Sequence, residues 1–315
     1  MTDVSVVIVS YESRELLARC LEALAADAAR AASTEIIVVD QASRDGTAAW
    51  LAAEHPGVKL VALGENVGFG AGNNRGAERA RGRWLLLLNN DAFVRPGAID
   101  ELVRFAEARP EIGAAGPRLL WPDGRLQRSC RRFPTVFRLA TEFLYLRKLA
   151  PRSRILNGFF YGEFAHDEPS RVEWVTGACV LVRRELFERL DGFDEAFFLY
   201  SEEIDLLYRA AQAGAETWYD PAAEVVHVWG ASAGRASALT LEEQARSHVR
   251  YFCKHASATT ARRARCVLLA GLQLRARRSP AYREAAAWLA ARSVDELVAG
   301  RRPQAPVDRP SKVAP

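Results

Sequence analysis

Three stretches of this 315-residue chain carry side chains whose types and spacing suit chemistry on a charged, oxygen-rich substrate. In LLLLNNDAFV an apolar run empties onto Asn89, Asn90 and Asp91. Hard divalent cations take oxygen ligands, so a carboxylate at the mouth of a buried strand suits a cation that also holds phosphate oxygens. One carboxylate does not make a site; the other ligands must come from phosphate, water and a residue brought in from elsewhere. The second stretch, NVGFGAGNNRG (66–76), is a glycine-rich turn opening a helix and contains Asn66, Gly70 and Asn73. Glycines let a backbone approach a pyrophosphate, and free N–H groups at a helix start favour anions. The same residues also suit a tight loop followed by a small-residue helix face. The third stretch is SEEID, with Glu202, Glu203 and Asp205 in four residues. Acids in a first helical turn stabilise the macrodipole by about 0.3–1 kcal/mol. Three exceed that need, so we read catalytic carboxylates here, with Glu203 ahead of Glu202 and Asp205 as a structural or acceptor-contacting partner.

The elements that must hold these groups alternate along the first half of the chain. VSVVIVS, EIIVVD, VKLVAL and WLLLLNN read as strands apolar on both faces, and helical spacing separates them. The order predicts a doubly wound, mostly parallel sheet. Ser10, Tyr11 and Glu12 follow the first strand, Asp40 the second, and Asn66 lies just past the third. That edge is where open parallel sheets bind ligands. From residue 112 the pattern changes: a hairpin is expected around Pro122-Asp123-Gly124, a helix over 135–149, a long loop over 150–171, one strand over 172–182, and a helix capped by Ser201 and stopped at Gly214. Trp174, Thr176, Gly177 and Ala178 are candidates for a sugar or acceptor pocket, though the small ones also suit close packing.

Taken together, VSVVIVSYESRELLARCLEAL, VVDQASRDGT, NVGFGAGNNRG, LNNDAFV, the 175–214 block and VVHVWGASAG resemble family-two glycosyltransferases of the bacterial rhamnosyltransferase-like branch, in unbroken order over residues 3–234. The resemblance implies an α/β GT-A fold of the nucleotide-diphospho-sugar transferase type. It implies a nucleoside diphosphate contacted by Asp40, Asp45, Asn90 and the backbone of residues 10–12. It further implies a divalent cation, manganese or magnesium, at Asp91 and His227, and Glu203 as the base of an inverting transfer from dTDP-rhamnose or a UDP-sugar to a glycan or lipid-linked saccharide hydroxyl. Three residues depart from the family pattern: Gln41 and Glu12 where Asn is common, and Asn89 where a first metal-binding Asp would stand. A Glu replaces the usual Asp at 203. Two rival readings are a nicotinamide oxidoreductase and a non-catalytic carbohydrate-binding scaffold. The first lacks the glycine fingerprint after its first strand, and the second has no need of the carboxylates at 91 and 203.

Composition bounds the rest. With 49 % hydrophobic and 26 % charged residues the chain can bury a large core. Five scattered cysteines without a C-x-x-C pair argue against a disulfide framework or a zinc site, and fit a reducing cytoplasm. Residues 240–315 hold 15 Lys and Arg against 6 Asp and Glu, so residues 1–239 are net −5, which disfavours nucleic acid as a partner of the main domain. No apolar run reaches the roughly 20 residues of a membrane span, and no signal peptide is read at the amino terminus. The expected organisation is a catalytic domain over 1–238, a basic helical extension over 239–300 and a disordered tail over 301–315. In the extension Arg262, Arg263, Arg265, Arg275, Arg277 and Arg278 flank CVLLAGLQL, a candidate for peripheral contact with the anionic inner face of a membrane.

Overall fold

The computed structural model describes residues 2–27, 32–228, 237–277 and 279–299. The expected tail at 301–315 lies outside the described residues. In chain order the elements are β1 (Val4–Ser10), α1 (Arg14–Ala26), β2 (Thr34–Asp40), α2 (Thr47–Glu54), β3 (Lys59–Ala62), α3 (Phe69–Ala77), β4 (Trp84–Asn89), β5 (Ala92–Val94), α4 (Ala98–Glu107), β6 (Ile112–Leu120), β7 (Leu126–Gln127), β8 (Cys130–Arg131), α5 (Val136–Phe143), β9 (Ser170–Val172), β10 (Trp174–Val175), β11 (Cys179–Arg183), α6 (Arg184–Arg189), α7 (Glu202–Gln212), β12 (Glu216–His227), α8 (Ala238–His255), α9 (Ala258–Arg275), α10 (Pro280–Ala290) and α11 (Val294–Ala299).

Strands apolar on both faces need helices on both faces, and the sheet has them. Val4, Val6 and Ile8 of β1 join an apolar cluster with Leu17 and Leu24 of α1, while Val7 and Val9 face a second cluster on the other side. The order is β3-β2-β1-β4-β11-β6-β12-β5. The first four strands are mutually parallel. Beyond them β11 runs antiparallel to both β4 and β6, and β5 antiparallel to β12, so the sheet is parallel on one side and mixed on the other. The hairpin at Pro122-Asp123-Gly124 forms, joining β6 to β7 with Gly124 at φ 82°.

Two elements differ from the sequence reading. The single strand expected over 172–182 breaks into β10, which pairs with β8 in a separate ribbon, and β11, which enters the main sheet. Residues 176–178 carry the chain between the two. The helix expected over 135–149 ends at Phe143, and Tyr145 turns at φ 61° into a short 3-10 turn.

The carboxy-terminal helices extend one of the two apolar clusters: Val249, Leu268, Leu289 and Leu297 belong with Val7 and Val9. This changes the reading of CVLLAGLQL. Leu268 and Leu272 are buried, and Gly271 packs against Phe143, leaving no room for a bulkier residue. Arg265 donates to the carbonyls of Arg292 (2.7 Å) and Leu289 (2.8 Å), closing the end of α10. One face of the stretch is therefore core while its Leu274 end is exposed, and part of its flanking charge caps helices. Arg278 lies outside the described residues.

Asp205, read as a structural or acceptor-contacting partner, ties α7 to α8. Its side chain is fully buried, with Oδ2 2.8 Å from Arg209 Nε and Oδ1 2.7 Å from His255 Nε2 and 2.8 Å from Lys254 Nζ. Burial raises its carboxyl, but these partners outweigh it and hold the group below the ordinary range. A carboxylate so engaged is a poor base. Removing one partner of a buried ion network costs about 3–5 kcal/mol, so Asp205→Asn should lower urea-unfolding stability by about that much at neutral pH. A depressed folded-state pKa stabilises above the unfolded value, so the difference from wild type should shrink as pH falls below about 4.

Candidate active site

Parallel register brings three strand ends together, with Ser10 opposite Asp40 and Val9 opposite Asn89. The loops leaving this edge are braced against each other. Glu12, at φ 49°, accepts from Arg44 N (2.9 Å) while its own N–H donates to Ser43 Oγ (3.0 Å). Asp45 accepts from Arg14 N (2.9 Å) and from the hydroxyl of Thr47 (2.6 Å), holding the starts of α1 and α2. These two acids, expected as nucleotide contacts, are occupied as braces. Ser10 Oγ lies 3.3 Å from Ser13 Oγ, which also receives the Asn90 amide. Tyr11 is half-buried at the edge. Asp40 places Oδ2 3.3 Å from Ser43 N, and its buried Oδ1 meets no hydrogen-bond partner among the described residues.

The glycine-rich segment takes its second, packing role. Gly68, at φ 91°, is the position that needs glycine most: a Cβ there would lie 2.4 Å from the carbonyl oxygen of Phe198. Phe69 N donates to that same carbonyl at 2.9 Å, so the opening of α3 is already satisfied by the chain leading into α7. Gly70 faces Phe193 and Glu202, and Gly72 and Gly76 lie on Val9 and Val7. Asn73 is buried and donates to Phe69 O, and Asn66 accepts from Gly68 N. The segment thus fastens α7 to the sheet, with Gly70 and Asn73 engaged in packing.

β11 supplies the link to α7. Asn89 N donates to Ala178 O at 2.9 Å, which sets Gly177 beside the end of β4. A Cβ on Gly177 would stand 3.5 Å from Glu203 Cβ, and the N–H groups of Gly177, Glu203 and Ile204 act electrostatically on the Glu203 carboxylate. Burial pushes the Glu203 carboxyl above the ordinary range, against the pull of those N–H groups and of Arg131. Glu202 is raised further, by burial and by repulsion from Glu203. Ser201 does not cap: it and Tyr200 sit at φ 64° and 66°, and the Ser201 hydroxyl is buried and unmatched. Two consecutive non-glycine residues in this region store strain where the carboxylates are aimed.

Of the other pocket candidates, Thr176 has a buried, unmatched hydroxyl beside Gly177. Trp174 and Ala178 are interior: the Trp174 indole donates to Arg132 O at 3.0 Å and packs edge-on against Phe159. A cavity of about 700 Å³ lies near Leu85, at the far end of β4 from Asn89, and its rim pairs Arg75 with Glu195 and Lys254 with Asp194. It does not reach the carboxylates at 91 and 203.

Asp91 and His227, 136 positions apart, come within 3.3 Å between Oδ1 and Nε2, both buried, because β12 lays His227 against Ala92. The ring is oriented by Gln127, a residue outside every motif read from the sequence. Gln127 Oε1 lies 2.7 Å from His227 Nδ1, and its amide donates to the His227 carbonyl at 3.3 Å. That second bond fixes the amide: reversed, it would set two acceptors face to face. Nδ1 therefore carries the hydrogen in the neutral ring, and Nε2, without a hydrogen-bond partner, presents its lone pair toward Asp91. An imidazole lone pair facing a carboxylate fits a cation held between them, at a separation suited to neighbouring ligands of one ion. Among the described residues no third His, Cys, Asp or Glu joins them. Arg131, also absent from the sequence reading, stacks on Phe160 at 4.1 Å, and burial brings its guanidinium down to about 10 while Glu203 pulls it up.

Comparison with known proteins agrees with this geometry. The model of Glycosyl transferase family 2 matches residues 5–191. The N-acetylglucosaminyl-diphospho-decaprenol L-rhamnosyltransferase of Mycobacterium tuberculosis is 34 % identical over 255 residues, covering 76 % of this chain and 81 % of that one. Rhamnosyltransferase WbbL of Escherichia coli is 26 % identical over 234 residues, covering 71 % and 83 %. Among solved structures, the mannosyltransferase PcManGT of Pyrobaculum calidifontis with GDP-Man and Mn2+ superposes with a TM-score of 0.55 at 19 % identity, covering 91 % of this chain and 85 % of that one. GalNAc-T7 with UDP, GalNAc and Mn2+ gives 0.56 at 19 %, covering 78 % and 47 %. The fold is the GT-A architecture, and the chain belongs to glycosyl transferase family 2.

Proposed function

We propose that this glycosyltransferase moves a hexosyl group, rhamnosyl from dTDP-rhamnose first among the candidates and sugars from UDP donors next, onto a hydroxyl of a lipid-linked saccharide with inversion at the anomeric carbon. The observation that carries it is Glu203, a half-buried carboxylate with a raised pKa and a buried, unmatched oxygen, packed beside Gly177 at the same sheet edge as Asp91 and His227. Two relatives named as rhamnosyltransferases, one of them for a decaprenol-diphosphate-linked saccharide, support the donor and acceptor classes. Five free thiols suit the cytoplasm. Among the described residues no helix is long and apolar enough to cross a membrane.

Asp40 and the residues 10–12 edge bind the nucleoside end of the donor, and Asn90 stands beside them. Glu203 takes the proton of the acceptor hydroxyl as its oxygen attacks the anomeric carbon from the face opposite the diphosphate. Glu202 lies buried beside that base, its carboxyl raised by burial and by repulsion from Glu203. Asp91 and His227 would hold a manganese or magnesium ion, which would supply positive charge against the leaving diphosphate. Neutral Asn89 leaves that charge to one carboxylate, one imidazole and the donor's own oxygens.

In a panel of nucleotide sugars with and without manganese or magnesium, the true donor should raise the melting temperature, and Glu203→Gln should keep that shift while lowering kcat by about 100-fold or more. Near-normal transfer by Glu203→Gln would remove the base assignment. The wild-type rate should fall with acid at a pH above the ordinary glutamate value of about 4.3, because proton uptake silences a raised carboxylate. Glu202→Gln should increase Tm at pH 7 to 8 by about 2 °C or more, since a buried carboxylate with a raised pKa destabilises the fold when ionised. That gain should vanish below about pH 4, where both states are protonated. Finally, Gln127→Leu should weaken manganese binding, read by electron paramagnetic resonance in the presence of a nucleoside diphosphate, by about 10–100-fold. Gln127→Glu, which still accepts from Nδ1, should lose less.

A further inference from the structure

The four large apolar side chains most exposed among the described residues are Phe137 (52 %), Leu149 (77 %), Ile155 (68 %) and Leu274 (57 %). All four belong to one neighbourhood. Phe137 lies on α5, Leu149 and Ile155 on the loop that follows it, and Leu274 at the end of α9, where Arg275 donates to Phe143 O of α5 (2.6 Å) and stacks on Tyr145 at 4.1 Å. The same segment is strongly basic: residues 125–155 hold nine Lys and Arg against one acid, Glu142. Arg147 pairs with Glu142 and Arg154 with Glu163, while Lys148, next to Leu149, and Arg152, between Leu149 and Ile155, are exposed. Apolar tips set among cations suit an anionic bilayer surface, where the tips enter the acyl boundary and the cations meet phosphate headgroups.

The position relative to the chemistry argues the same way. Phe160, at the inner end of this loop, is sandwiched by Arg147 at 4.8 Å and Arg131 at 4.1 Å, and Arg131 is the cation whose charge reaches Glu203. Phe160 and Arg131 thereby link this loop to the base. We infer that the α5 segment and its loop, with the end of α9, form the surface that docks on an anionic membrane and presents the lipid-linked acceptor to Glu203. The inference rests on the lipid-linked acceptor proposed above, and of the CVLLAGLQL stretch it uses only the exposed Leu274 end.

Flotation of the full chain with vesicles of phosphatidylglycerol and phosphatidylethanolamine, against vesicles of phosphatidylcholine alone, tests it. Wild type should float with the anionic vesicles, less so at high salt. The double variant Leu149→Asp, Ile155→Asp and, separately, Lys148→Ser with Arg152→Ser should each reduce binding by about tenfold or more, with melting temperature and donor-induced shift unchanged. Equal flotation of these variants, equal binding to neutral vesicles, or a concentration-dependent dimer of wild type that the double variant abolishes would each overturn the surface. A chain that floats as expected but binds no nucleotide sugar would instead sink the proposed function and leave the surface standing.

Discussion

Everything in the site depends on one strand running the wrong way. β11 inserts between β4 and β6 antiparallel to both, and the bond from Asn89 N to Ala178 O fixes where it enters. In a fully parallel sheet the strand beside β4 would bring only another carboxyl end to this edge. The reversal brings the start of β11 there instead, so that the residues just before it stand next to Asn89 and Asp91. Gly177 then reaches Glu203, and Glu203 is joined to a cation-binding corner 112 positions earlier in the chain.

Two carboxylates on the same helical turn show how environment assigns a role. Asp205 is surrounded by Arg209, Lys254 and His255 and stays charged as a structural tie. Glu203 feels only the pull of nearby backbone N–H groups and of Arg131, keeps one buried oxygen unmatched, and is raised. Full pairing makes a carboxylate stable and a weak base; partial pairing makes it basic and destabilising. The strain at Tyr200 and Ser201 and the raised carboxyl of Glu202 belong to the same trade, in which local stability is given up at a working site.

Much of this was legible in the chain. Strand ends at Ser10, Asp40 and Asn89, the Pro122-Asp123-Gly124 hairpin and the acidic start of α7 all follow from period, turn chemistry and apolar runs, which are local properties. The glycine-rich segment was legible only as two alternatives, because a glycine permits close approach without naming what approaches. Phe198 O, Phe193 and the valines of β1 supplied the answer. Gln127 carried no signal at all: a lone amide in a hairpin becomes informative only when a histidine a hundred positions later is laid against it.

By itself the sequence determined the family and the α/β architecture, and it named Glu203 and Asp91 as the candidate base and cation ligand, since each sits in a motif short enough to be read along the chain. Only the tertiary structure decided which neighbours those groups have. It showed Asp205, Glu12, Asp45, Gly70 and Asn73 engaged in bracing and packing, set Gln127 against His227, and buried one face of the apolar stretch in α9. The physical reason is that a pKa, a tautomer and a buried face depend on distances between residues far apart in sequence, and folding alone sets those distances.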